Sequence, residues 1–158
     1  MKHSLQTGVS FGLTSAVITT LGLMAGLHSG THSKIVVLGG ILTIAIADAF
    51  SDALGIHVSE EFENVHTVTQ IWTSTIATFV AKLLFALTFA VPVLLLPLGW
   101  AVVVSMAWGL SILAVMSVVM AKVQKGSPWK IAGEHLLIAV VVIAATHKVG
   151  EWIAVING

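Results

Sequence analysis

Two aspartates, Asp48 and Asp52, interrupt an apolar run that extends from Ile35 to Ile56. On a helix, residues four positions apart share a face and lie about 6 Å apart along the axis. A carboxylate in the hydrocarbon region of a membrane is costly unless it faces a partner, a cavity or an ion. The pair therefore predicts a pathway or binding site for a cation.

The residues around this pair indicate the chemistry of such a site. Carboxylate and hydroxyl oxygens are hard ligands, which suit Mn²⁺ or Mg²⁺ and accept Fe²⁺. Ser51 and Thr43 add hydroxyl groups near the aspartates, and Met24 in the first hydrophobic segment adds a softer thioether. Because protons compete with metal ions for buried carboxylates, this chemistry is typical of a metal–proton antiporter.

Lys82, about a dozen residues into the third hydrophobic segment, is the natural counter-charge for the aspartates. It either pairs with them permanently, as a structural bond, or is released when a cation binds. A hydroxyl group of the first segment is an alternative structural partner for an aspartate. Two stacked carboxylates exceed what one lysine neutralises, which favours a functional role. We expect Asp48, Asp52 and Lys82 to provide the proton coupling.

An acidic cluster follows the second hydrophobic segment. Glu60, Glu61 and Glu63 lie between His57 and His66 at the predicted cytoplasmic surface. The three glutamates are candidate metal ligands that collect cations at a pore entrance. A solvated acidic loop is an equally good interpretation.

The remaining polar residues give weaker indications. His28 and His32 are four apart, but their Gly/Ser-containing surroundings predict a loop. Lys148 and Glu151 lie near the end of the last hydrophobic segment, where long side chains extend to the interface. No enzyme signature has its required structural context, so we expect neither catalysis nor a cofactor apart from the transported metal.

The composition identifies the elements that must position these residues. The chain has 158 residues, of which 57% are hydrophobic and 9% charged, and its mean hydropathy is +1.03. These values predict one all-α domain in a lipid bilayer. Hydrophobic runs long enough to cross it occur at about residues 8–27, 35–58, 70–97, 100–121 and 131–156. Cysteine is absent, which excludes disulfides and thiolate metal sites. The zero net charge argues against a nucleic-acid partner.

Lysine positions predict the orientation of the five segments. Lys2 precedes the first segment, and Lys122, Lys125 and Lys130 lie between the fourth and the fifth. Five crossings place both regions on one side, which the positive-inside rule makes cytoplasmic. The N-terminus is then cytoplasmic, and the compact chain favours a prokaryotic cell membrane.

Small residues and prolines predict how the segments pack. Residues with small side chains recur every four positions in the first two segments: Gly8, Gly12 and Ala16, then Ala45, Ala49 and Ala53. This spacing favours close helix contact in lipid, so we expect the first two segments to pack tightly, either within one chain or across a dimer. Pro92 predicts a kink in the third segment.

Several short motifs resemble one family. Residues 15–27 read S-A-V-I-T-T-L-G-L-M-A-G-L, similar to D-G-L-x-T-T-F-G-L-V-A-G-L, and residues 47–57 read A-D-A-F-S-D-A-L-G-I-H, similar to A-G-A-I-S-M-x-L-G-x-Y. Residues 85–97 and the G-S-P-W-K stretch at 126–130 also match. These motifs resemble those of the vacuolar iron transporters, and the resemblance covers nearly the whole chain. It implies a homodimer with five spans that moves Fe²⁺ or Mn²⁺ against protons.

The chain departs from this family at the positions that handle metal. The family's first-helix aspartate is Ser15 here, its second-helix glutamate falls near Ile44, and its second-helix methionine is Asp52. Asp48 replaces a glycine. The cytoplasmic metal-binding domain of some members is reduced to the acidic stretch 60–63. The departures suggest a relocated, harder site for a divalent cation.

Together these observations predict a homodimeric transporter that exports Fe²⁺ or Mn²⁺ from the cytoplasm by proton antiport. The two aspartates of each subunit would line a path near the two-fold axis. Secondary ligands would be Thr19, Thr20, Met24 and Ser51. The alternatives are a non-transporting membrane module or subunit of a larger complex, and a pathway for protons or monovalent ions.

Overall fold

A computed structural model describes residues 1–157, which form helices joined by short turns and contain no strand in that range. The helices are α1 (Lys2–Thr31), α2 (Lys34–Glu63), α3 (Val68–Thr88), α4 (Ala90–Leu95), α5 (Leu98–Gln124) and α6 (Pro128–Asn157). Five units are long and apolar enough to cross a membrane: α1, α2, α3 with α4, α5, and α6. The predicted all-α fold with five spanning helices is confirmed, and it agrees with an integral membrane protein.

The helices extend beyond the predicted hydrophobic runs, and the links between them are short. Helix α1 continues through Thr31, so His28 lies on a helix and not in the predicted loop. Helix α2 continues to Glu63, so the acidic cluster is helical as well. Thr67 and Gln70 form a reciprocal capping box that starts α3. This capping box fixes where α3 begins.

The third span is broken between α3 and α4, as Pro92 predicts. Proline has no N–H group, and its ring clashes with the carbonyl four residues earlier, which here belongs to Thr88. The regular helix stops at that residue, and α4 resumes at Ala90. On α2, the Lys34 ammonium donates hydrogen bonds to the carbonyls of Leu94 and Leu96, both 3.1 Å away. This contact holds the end of α4 against the start of α2.

Helix α1 lies at the centre of the bundle, where its glycines contact two different helices. A Cβ atom added at Gly8 would collide with the backbone carbonyl of Ser74 on α3. One added at Gly26 would lie 3.1 Å from the backbone oxygen of Thr146 on α6. The first half of α1 therefore packs closely on α3, and its second half on α6.

The predicted contact between the first two spans is present, but it is not the closest contact of α1, because the glycines of α1 pack on α3 and α6 instead. A smaller contact to α2 remains, where Ala16, Ala45 and Ala86 pack together. Ala49 and Ala53 are also buried and continue this stripe along α2. Small-residue spacing indicated correctly that α1 packs closely, but it does not encode the partner helix.

The apolar core surrounds the second half of α1. It consists of Phe89, between α3 and α4, and of buried side chains from α1, α2, α4, α5 and α6, namely Leu13, Val17, Leu21, Met24, Val37, Ile41, Ala90, Val93, Ala101, Val102, Leu113 and Ala139. Outside this core, many large apolar side chains are exposed on the lateral surface, as expected of a protein surrounded by lipid.

Candidate functional site

The two aspartates and the lysine meet near the middle of the bundle. Asp48 lies at the midpoint of α2, and Asp52 lies one turn further along the same helix. Lys82 extends from α3 towards both of them. Because the midpoint of a spanning helix lies near the centre of the hydrocarbon region, the cluster is far from bulk water.

The Lys82 ammonium group contacts three oxygen atoms. Its Nζ atom lies 2.5 Å from Asp48 Oδ2, and it forms a very short ion pair with Asp52 Oδ2. It also donates a hydrogen bond to Ser15 Oγ on α1, 2.6 Å away. Of the three ammonium donors, two form hydrogen bonds, to Asp52 and Ser15. Asp48 Oδ2 makes a close ion-pair contact but accepts no hydrogen bond within the described chain. Two carboxylates and one ammonium give the ionised cluster a formal charge of −1.

Small residues bring the helix backbones close enough for these contacts. A Cβ atom added at Gly12 would collide with the Thr78 carbonyl and lie 3.1 Å from the Lys82 backbone nitrogen. Helices α1 and α3 therefore touch through their backbones one turn before Ser15. The short side chain of Ala81 adds to this close approach, since it lies 3.2 Å from the same position.

The cluster is closed on the side of the lysine and partly open on the side of the aspartates. The Lys82 side chain is 1% exposed, whereas those of Asp48 and Asp52 are 24% and 18% exposed. The surface of α2 beside them carries small residues every four positions, and all are exposed: Gly39, Thr43, Ala47, Ser51, Gly55 and Ser59. A Cβ atom added at either of these glycines would meet nothing within 4 Å. This face of α2 has no covering helix in the described part of the chain.

The three glutamates of the predicted collecting site separate from one another. Glu60 is only 7% exposed, and its Oε2 atom accepts a hydrogen bond of 2.6 Å from Ser74 Oγ on α3. Glu61 is exposed and lies 3.5 Å from His57. Glu63 is exposed and lies near His66 at the end of the helix. The solvated-loop interpretation therefore does not describe Glu60.

Glu60 shares a face of α2 with the two aspartates, because residues 48, 52, 56 and 60 are spaced by four. Asp52 and Glu60 lie about 12 Å apart along the helix axis at 1.5 Å per residue. Ile56 fills the turn between them and is half-buried. The buried carboxylates therefore follow one line from the middle of α2 towards its C-terminal end.

The predicted secondary ligands lie at varying distances from the cluster. Thr19 donates a hydrogen bond of 2.8 Å to the Ser15 carbonyl, which places it one turn from the cluster. Thr20 is fully buried, and its hydroxyl group has no hydrogen-bond partner in the described chain. Met24 packs in the apolar core, about 13 Å along α1 from Ser15. Ser51 lies on the exposed face of α2. Their roles as ligands stay predictions.

A second group of polar side chains lies where α1 ends and α6 passes it. The rings of His28 and His32 are 5.4 Å apart. On α6, His147 and Lys148 both contact Glu151, at 3.1 and 2.7 Å. Glu151 pairs with both His147 and Lys148, so these three side chains on α6 have partners without a metal ion.

Two hydroxyl groups that contact the charged side chains of the site were not identified from the sequence. Ser15 contacts Lys82, and Ser74 contacts Glu60. Both lie on helices that Gly8 and Gly12 bring together, so the close α1–α3 contact is the signal that would have identified them. That signal was assigned to α2 instead.

In the described residues, no group of three or more histidine or carboxylate side chains forms a ready metal site. One chain contributes two carboxylates at the cluster, and its third nearby oxygen is the Ser15 hydroxyl. The sequence matches no protein-family model, and no curated protein is a significant match.

Proposed function

We propose that this protein is a membrane transporter that exports a divalent metal cation, Fe²⁺ or Mn²⁺, from the cytoplasm in exchange for protons. The observation that supports this function is the convergence of Asp48, Asp52 and Ser15 oxygens on a single cationic group at mid-membrane depth. Oxygen atoms that surround an ammonium group are also the ligands that hard divalent cations prefer. The N-terminus is cytoplasmic in this proposal, and the membrane is a prokaryotic cell membrane.

The charge of the cluster supports a site that exchanges its cation. One lysine leaves a formal charge of −1 on the ionised cluster, and two carboxylates alone match the charge of a divalent ion. Isolated charge in hydrocarbon is expensive and is kept in membrane helices chiefly for ion or proton pathways. The line from Asp52 to Glu60 leads from the cluster towards the proposed cytoplasmic end, where Glu60 is the last buried carboxylate.

A homodimer completes this site in the proposal. The exposed face of α2 is lined by small residues that allow close approach of a second helix, and Asp48 and Asp52 lie along its edge. A second copy at this face would cover the partly exposed aspartates and bring four carboxylates to a common axis. The resemblance to vacuolar iron transporters agrees with this arrangement, and the extra aspartates indicate a harder ligand set.

The strongest competing function is a non-transporting membrane module. Within one chain Lys82 already has ion pairs with Asp48 and Asp52 and a hydrogen bond to Ser15, which is what a permanent structural cluster requires. A pathway for protons or monovalent ions through the same aspartates is the third possibility. These alternatives differ in which ion crosses the membrane, so flux measurements separate them.

The test is uptake of Fe²⁺ and Mn²⁺ into proteoliposomes, with and without a pH gradient. The variant Asp48→Asn/Asp52→Asn keeps the side-chain shapes and removes both charges. We expect it to reduce gradient-dependent uptake to the level of protein-free liposomes. The control is Glu134→Gln, which neutralises an exposed carboxylate on α6 that the proposal does not use, and it should retain most of the flux.

Metal uptake by the asparagine variant at the wild-type rate would exclude the aspartates as the site. No uptake by folded wild-type protein, together with no proton flux, would favour the non-transporting module. Proton or sodium flux without divalent metal would favour the third function.

A further inference from the structure

A deep groove lies on the side of α1 away from the Lys82 cluster. It separates the first half of α1 from the last part of α5 and has a volume of about 760 Å³. Cavities of roughly 300–1,000 Å³ accommodate small organic ligands. The groove is lined by His3, Leu5, Gln6, Thr7, Val9, Ser10, Phe11, Thr14, Met116, Val119, Met120, Val123, Gln124 and His135.

The dimensions of the groove match one leaflet of a bilayer. Its lining on α1 extends from His3 to Thr14, which is about 16 Å along the helix at 1.5 Å per residue. One leaflet contributes about 15 Å of hydrocarbon. Val119 and the flexible side chains of Met116 and Met120 form an adaptable apolar wall on α5. An acyl chain from the surrounding leaflet has the length and polarity to occupy this space.

The α1 wall of the groove also carries polar groups without partners. Gln6, Ser10 and Thr14 are spaced by four, so they form one stripe that faces the groove. None of these three side chains makes a hydrogen bond within the described part of the chain, in contrast to Thr7, which bonds the His3 carbonyl at 3.1 Å. Gln6 is exposed, and its amide can donate hydrogen bonds to ester oxygens such as those of a phospholipid.

Positive charge surrounds the mouth of the groove. The exposed Lys2 precedes His3, and the exposed Lys122 and Lys125 flank Val123 and Gln124. The described lining residues include no carboxylate. Basic clusters next to a groove between membrane helices attract anionic lipid head groups. The charge at the mouth therefore selects among the lipids whose chains fit the groove.

We propose that this groove binds one phospholipid with an anionic head group, such as phosphatidylglycerol. Its acyl chain lies between α1 and α5, and its phosphate contacts Lys122, Lys125 and Lys2. This site is separate from the metal pathway, because the groove and the Lys82 cluster have no residue in common.

The test is lipid retention measured by native mass spectrometry of the purified full-length protein, with phosphatidylglycerol or phosphatidylcholine added to the detergent. The wild type should retain phosphatidylglycerol preferentially. Lys122→Gln/Lys125→Gln should reduce this preference about thirtyfold, because each of the two lysines near the surface adds to the attraction for anionic lipid. The control Lys148→Gln removes an exposed lysine near the other end of the bundle and should leave the preference unchanged.

A second pair of variants tests whether the groove holds the chain of the lipid. Ser10→Phe fills the groove from α1 and should reduce retention of phosphatidylglycerol, whereas Val115→Phe adds the same ring on an exposed face of α5 and should not. Val119→Trp fills the groove from the α5 side. It serves as the groove-filling variant if the purified Ser10→Phe protein is not monodisperse.

Equal retention of the two lipids by the wild type would overturn the proposal. The proposal would also be overturned if the groove-filling variants retained as much phosphatidylglycerol as the wild type. The same holds if Lys148→Gln lost the preference for phosphatidylglycerol as strongly as the double lysine variant. These experiments measure bound lipid and not ion flux. A negative lipid result therefore does not contradict the transport proposal, and a negative flux result does not contradict the lipid proposal.

Discussion

Lys82 is held by oxygen atoms from two other helices, although it lies where a charged side chain has little access to water. Removing one partner of such a buried cluster leaves an unpaired charge, which destabilises the folded protein. Neutralising all partners together leaves no unpaired charge and therefore costs much less stability. At the scale of the residue, the stability of the cluster therefore depends on its balance more than on any one contact.

We expect Lys82→Met to lower the free energy of unfolding by about 3 kcal/mol or more, because it leaves two neighbouring buried carboxylates without a counter-charge. The variant Asp48→Asn/Asp52→Asn/Lys82→Met should recover most of that loss. Denaturant titration of the detergent-solubilised protein measures both changes. Lys148→Met, at an exposed position, is the control and should change stability little. Wild-type stability of the Lys82→Met variant would contradict the assigned role of the lysine.

The sequence predicted this cluster in part. Charge balance alone paired Lys82 with the aspartates, since the number of ionisable groups inside the spans is small. The partners of Ser15 and Glu60 were not predictable in the same way, because serine is common in membrane helices and a glutamate at a helix end is usually solvated. Their assignment depends on which helices are neighbours.

At the scale of the element, the glycines of α1 form two groups, one that contacts α3 and one that contacts α6. The crossing of α1 and α6 is the closest, because a Cβ atom at Gly150 would collide with both Ser29 Oγ and the Gly26 carbonyl. The Ser29 hydroxyl in turn donates a hydrogen bond of 2.9 Å to the His147 carbonyl across this crossing. Backbone atoms on one side of the contact cannot move aside as a flexible side chain would.

We expect Gly150→Ala to destabilise the protein by about 1–3 kcal/mol, the range for an added methyl group in a packed site. Gly133→Ala on the same helix is the matched control. A Cβ atom there meets nothing within 4 Å, so the higher helix propensity of alanine should give a gain of up to about 1 kcal/mol. The same denaturant titration distinguishes them, and equal effects of the two substitutions would contradict the close crossing.

The pattern of glycines predicted that α1 would be closely packed, but not against what. Four-residue spacing is a property of one helix, whereas the choice of neighbour depends on how all five spans fill space together. The break near Pro92 was predictable because its cause lies in the proline itself.

At the scale of the whole molecule, α2 is the helix that leaves a face with small side chains uncovered in the single chain. It carries the aspartates and a stripe of small exposed residues that includes Ala47 and Ser51. Five spans and an all-α fold followed directly from hydropathy, since length and apolar composition suffice for that inference. An interface between copies does not follow from hydropathy, because a helix face towards lipid and one towards another helix are both apolar.

The absence of cysteine allows a direct test of the proposed dimer. We expect Ser51→Cys to form a disulfide-linked dimer on mild oxidation in membranes, because α-carbons of bridged cysteines must lie within about 7 Å. Ser111→Cys places the same group on an exposed face of α5 and should not form a disulfide between chains. Non-reducing electrophoresis separates the two outcomes, and equal cross-linking of both variants would count against an α2 interface.

The spacing of the charged residues along the chain has a consequence for biosynthesis. Asp52 precedes Lys82 by 30 residues, which a ribosome adds in about 2–6 s. During that interval α2 exists with two carboxylates and no counter-ion, and each carries an insertion penalty of roughly 2.5–3.5 kcal/mol at the centre of a span. The hairpin of α2 and α3 is therefore the smallest nascent unit that can leave the translocon with its charges paired.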